Sequence, residues 1–172
     1  GKDAYINIVQ THGEWGLRIP TYIENRYLSY APIVQGARGL LYWMHNAFTT
    51  AGHRDLVVPP VAHEIQSLVP AIISNSTAVT VSSNRDTDTA GRGIRDISYL
   101  FGEDERCGYL IETNNSPNTY AVQFQLTGSV LAATLGANQT SIPVMFEQRS
   151  VTAQPTGSPN VWTLADSVGP FG

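Results

Sequence analysis

Hydrophobic positions in the first seventy residues follow two rhythms, and a third takes over beyond Thr77. Residues 5–10 (YINIVQ) and 39–44 (GLLYWM) are near-continuous apolar runs rich in β-branched and aromatic side chains, the pattern of parallel strands covered on both faces. Between them Ile23, Tyr27, Tyr30, Ala31 and Val34 fall on one helical stripe. Thr21 and Glu24 have the spacing of a capping box, and Gly36 suits the positive φ that closes a helix. Pro32 is expected to kink the last turn. A second helix is expected from Pro59 or Pro60, both tolerated in a first turn, through Val61, Ile65 and Leu68 to Pro70. Strand, helix, strand and helix in this order make a βαβ pattern with a right-handed crossover.

Beyond Thr77 the period falls to two. Tyr120, Val122, Phe124 and Leu126 alternate with Ala121, Gln123 and Gln125, so one face packs and the other meets solvent. Similar short runs at 78–82, 94–101, 108–113, 128–135 and 143–151 are separated by Asn-, Gly-, Asp- and Pro-rich turns. Six or seven strands at this spacing predict an antiparallel β-sandwich. No tandem repeat or heptad pattern is present.

Composition narrows the partners. Of the 172 residues, 42% are apolar and 14% charged, which suits a folded chain with a sizeable core. Ten Lys and Arg against fourteen Asp and Glu give a net charge of −4 with no basic run, so neither nucleic acid nor an anionic membrane is an expected partner. No apolar stretch is long enough to span a membrane. The lone Cys107 makes no internal disulfide and is expected to be a small buried hydrophobe in a strand. Asn-x-Ser/Thr sequons at Asn75, Asn114 and Asn138 give slight support to an extracellular or periplasmic location. His12, His45, His53 and His63 lack metal-ligand spacing, and no metal or cofactor is expected. Asp86-Thr-Asp88 reads as a hairpin tip or an oxygen-rich calcium loop. Glu147 and Arg149 share a strand face and are expected to form a surface or interdomain pair.

The segments 8–10, 18–27 (RIPTYIENRY) and 36–43 (GARGLLYW) resemble the end of a (β/α)8-barrel glycoside hydrolase of the large retaining superfamily. Residues 64–70, 108–117 and 146–149 resemble the last helix and the small β-sandwich that follow in that family. The resemblance implies an α/β plus all-β chain: residues 1–70 would supply the last two βα units of a TIM barrel, and 71–172 an accessory β-sandwich. A full barrel takes about 200–250 residues, so the chain is expected to be a C-terminal fragment. The remaining strands would come from the same polypeptide or another chain, and the substrate would be an oligosaccharide or polysaccharide.

In that family two carboxyl groups perform retaining hydrolysis, one as nucleophile and one as acid/base. The resemblance places the nucleophile at the end of strand seven, where this sequence has Gln10, and the acid/base outside the chain. Glu14, the carboxylate nearest that end, is the candidate nucleophile. The chain alone is expected to hydrolyse nothing. Trp43 ends the second apolar run, where an indole either stacks on a sugar ring or packs in the core. Trp15, Gln10, His12 and His45 are further candidates for contacting sugar, while Arg18 is expected to orient the loop. The competing reading is a non-catalytic carbohydrate-binding or structural β-sandwich module.

Overall fold

A computed structural model describes residues 5–13, 18–43, 51–74, 77–87, 95–105, 107–136 and 138–170. Strand β1 (Ile6–Gln10) runs parallel to β2 (Gly39–Trp43), from Ile6 opposite Gly39 to Gln10 opposite Trp43. Helix α1 (Tyr22–Val34) connects them. Its start is set locally: the Glu24 N–H donates to Thr21 Oγ1 at 3.3 Å, and the Thr21 N–H donates to Glu24 Oε2 at 2.8 Å. This reciprocal box satisfies two amides that the first turn leaves without intrahelical partners. Gly36 at φ 104 reverses the chain after the helix, and the Gly36 and Ala37 N–H groups donate to Ile33 O and Pro32 O. Pro32 lies in the last turn.

Two further helices follow, α2 (Ala51–Leu56) and α3 (Val58–Ile72), the latter with proline in its first turn as expected. The chain then becomes β-rich: β3 (Thr80–Ser83), the hairpin β4 (Ile97–Glu103) and β5 (Gly108–Asn114), and β6 (Tyr120–Thr127). After a short helix α4 (Ser129–Leu135) come β7 (Thr140–Pro143), β8 (Ser150–Pro155) and β9 (Val161–Val168). Strands β3, β6, β9, β8 and β7 form one antiparallel sheet in that order, while β4 and β5 pair only with each other.

The hairpin is the middle layer, and its alternation explains why. Ile97, Tyr99, Phe101 and Leu110 face the five-stranded sheet, joining Val122, Phe124, Leu126, Trp162 and Leu164 in one core. Tyr99 and Phe124 meet edge to face, with ring centroids 5.3 Å apart. Leu100, Tyr109 and Ile111 point the other way, onto Tyr30, Ile33, Leu68 and Ile72 of α1 and α3. Gly102 lies so close to α3 that a Cβ there would sit 2.0 Å from Ala71 O, so only glycine fits.

These observations correct the expected fold class. The barrel βα units are not evident: β1 and β2 form a two-stranded sheet of their own, and the described chain is mainly β, with nine strands in three sheets. Nor are the two parallel strands covered on both faces, since Ile6 and Ile8 are 71% and 61% exposed. The sheet and hairpin packed face to face agree with the sandwich part. Three local expectations change as well. Residues 128–135, expected as a strand, form α4, whose Leu131 and Leu135 stand four apart on the sheet core. The run at 143–151 breaks into the end of β7 and the start of β8 around a turn. Cys107 is exposed just before β5 instead of buried in it.

Candidate functional site

The C-terminal ends of β1 and β2 bring three of the sequence-derived candidates to one edge. Gln10 is in register with Trp43, and the Thr11 N–H extends the pairing by donating to Trp43 O at 2.6 Å. Gln10 Nε2 donates to His12 O at 2.7 Å and to Arg18 O at 3.2 Å, so this amide holds His12 and Arg18 together. Thr11 and His12 are buried behind the edge, whereas Trp43 is 48% exposed. Arg18 then clamps the start of α1 through a two-pronged pair with Glu24, including an Nη1 to Oε2 bond of 2.6 Å. The Arg18 bonds, with help from the Thr21 N–H, hold the Glu24 carboxyl down at about 2. Glu24 is thereby committed to the cap, and Arg18 is held against the start of α1. Glu14, Trp15 and His45 lie outside the described residues.

A second cluster joins the helices to the sheet, and only its Glu147–Arg149 pair was visible in the sequence. Glu64 of α3 accepts from Tyr22 at 2.5 Å, Arg26 Nε at 2.8 Å and Tyr30 at 3.3 Å. Arg26 reaches on to Glu147 at 3.1 Å, and Glu147 accepts from Arg149 Nε at 2.5 Å. Arg149 closes on Asp166 of β9 through both terminal nitrogens, at 2.5 and 3.0 Å. Burial works against the Asp166 charge, but bonds from Arg149, Glu112 and the Ser167 N–H outweigh it and keep this carboxyl below its usual value. Burial and the adjacent Asp166 push Glu112 of β5 up to about 8. Glu112 Oε2 is buried without a hydrogen-bond partner, an arrangement that burdens the charged form and favours the protonated one. Glu112 is thus an acid and Asp166 a base at neutral pH.

The cluster forms one end of a cavity of about 660 Å³ between α1, β5, β9 and the turn from β7 to β8. No sequence pattern marks this arrangement, because Glu112 and Asp166 are brought together from separate strands that are not hydrogen-bonded neighbours. Among the described residues, no group of three His, Cys, Asp or Glu is arranged to hold a metal ion. No helix described is long and apolar enough to cross a membrane. Comparison with known proteins adds no relative: no family model, curated protein or solved structure matches the chain.

Proposed function

We propose that this chain is part of a carbohydrate-active hydrolase and binds sugar at the edge formed by Gln10 and Trp43, with His12 buried behind it as support. The observation that carries the reading is the half-exposed indole of Trp43, in register with Gln10 at the C-terminal ends of two parallel strands. An indole face held on a strand end stacks on the apolar face of a pyranose, while its N–H stays free for a hydroxyl. The resemblance of residues 18–27 and 36–43 to retaining glycosidases supports the same substrate class. Gln10 spends its amide on the His12 and Arg18 carbonyls, so its role is to shape the edge. Glu14, four residues beyond Gln10 in the sequence, is the proposed nucleophile, with the acid/base supplied from outside this chain.

The test is binding of a panel of neutral oligosaccharides to the full chain, followed by calorimetry. Trp43→Ala should weaken the best ligand at least about tenfold, the loss expected when a stacked ring of roughly 1.5 kcal/mol is removed. Trp43→Phe should recover part of it. Uniform affinity across wild type and both variants would end the reading. For the catalytic part, turnover of a chromogenic glycoside by a complete enzyme carrying this segment should disappear in Glu14→Gln; undiminished turnover would remove Glu14 from that role.

A further inference from the structure

The cavity beside Glu112 has the volume of a small-molecule site and is distinct from the Trp43 edge. Its walls are mainly apolar, with Ile23 from α1, Ile111 from β5 and Ile142 from β7. Met145 and Phe146 also line it from the β7–β8 turn, and they are 42% and 46% exposed. Phe146 is held at φ 63, a backbone region that a bulky aromatic residue rarely adopts and that costs on the order of 1–2 kcal/mol. A turn serving only to reverse the chain would place Gly or Asn there. The strain instead keeps a benzyl group at an opening lined with hydrocarbon, as strained residues at ligand clamps do.

The polar end defines what the cavity accepts. Groups acting on Glu112 are Asp166 of β9 and Glu147 and Arg149 of the β7–β8 turn, while Arg26 and Tyr22 of α1 line the same cavity. Within the cluster two guanidiniums pair with three carboxylates, those of Glu64, Glu147 and Asp166, leaving an excess of negative charge before Glu112 is counted. Burial first, and then the neighbouring Asp166, favour the protonated form of Glu112. An anionic ligand head would add to the excess, and a neutral one would leave it unchanged. A cation would neutralise it.

We infer that this cavity binds a small apolar amine, its hydrocarbon body under Met145 and Phe146 and its ammonium group against Glu112 and Asp166. On binding, the ammonium keeps its own proton and the Glu112 O–H bond breaks. The proton passes to solvent, and the new carboxylate pairs with the ligand's N–H groups. Affinity therefore rises with pH while Glu112 is protonated in the free protein and levels off once it has ionised.

Phenethylamine is a suitable probe, with uncharged 2-phenylethanol as its control. Titration calorimetry of the full chain at neutral pH, in two buffers of different ionisation enthalpy, should show saturable phenethylamine binding with release of close to one proton. Affinity should rise roughly tenfold per pH unit up to the Glu112 transition. Glu112→Gln should cost at least about tenfold for the amine, abolish proton release, and leave 2-phenylethanol unaffected. Phe146→Gly relieves the backbone strain, so that variant should fold and yet weaken both probes. A flat titration at millimolar phenethylamine, binding without proton release, or binding retained in Glu112→Gln would each overturn the inference. None of these outcomes bears on sugar binding at Trp43, which neither substitution touches.

Discussion

Glu112 and Asp166 make the molecule's stability depend on pH in opposite directions. The Glu112 pKa is raised on folding, so the native state binds more protons than the unfolded chain between the ordinary glutamate range and about 8. Its stabilising contribution is complete in acid and is lost as pH rises through about 8. Asp166 is lowered, so its contribution is present above the ordinary aspartate range and is lost as pH falls through its native pKa. Urea unfolding should accordingly show stability falling, on the order of a few kcal/mol, as pH rises from the ordinary glutamate range to about 8, and Glu112→Gln should flatten that slope. A second side-chain effect is steric. Gly102→Ala places a methyl carbon within 2.0 Å of the Ala71 carbonyl, and it should cost at least about 2 kcal/mol in the same assay. Neither effect is written locally: Glu112 and Asp166 meet from two strands that are not neighbours in a sheet, and Gly102 meets Ala71 from another element.

Helices and strands whose specification is local were the ones the sequence announced. The Thr21–Glu24 box, the stripe from Ile23 to Val34 and the glycine stop at Gly36 all lie within sixteen residues, and α1 forms as they require. Thr21→Ala should therefore lower the unfolding free energy by about 1 kcal/mol. Phe124→Ala in β6 should cost about 3–5 kcal/mol, since that ring is fully buried between the sheet and the hairpin. Where the pattern was ambiguous, tertiary contact decided. Residues 129–135 are apolar without a polar alternation, which suits a buried strand or a helix equally well. The helix prevails because Leu131 and Leu135 then cap the sheet core together. Proline and the turn at 144–149 divide what had read as one strand, and the apolar run of β4 fits a strand sandwiched on both faces.

At the level of the whole chain, three layers succeed one another: helices α1 and α3, the β4–β5 hairpin, and the five-stranded sheet. The alternation beyond Thr77 foretold the β-rich character, because each strand's buried face is set by its own period. The barrel expectation came from the resemblance of segments 8–10, 18–27 and 36–43, and the two apolar runs prove exposed on one face, at Ile6, Ile8, Leu41 and Trp43, while Val9 is buried, so run composition did not report their burial. Ile6, Ile8 and Leu41 leave a hydrocarbon surface on the parallel pair. Ile8→Thr should change unfolding free energy by less than about 0.5 kcal/mol while reducing self-association in light scattering.

A two-faced hairpin held between both cores has a kinetic corollary. The amides of the β4–β5 ladder lie between two cores and should take up deuterium slowly, whereas the alternate amides on the two unpaired edges of this hairpin should exchange sooner. The ends of α1 and the tip at Phe146 should label quickly by comparison.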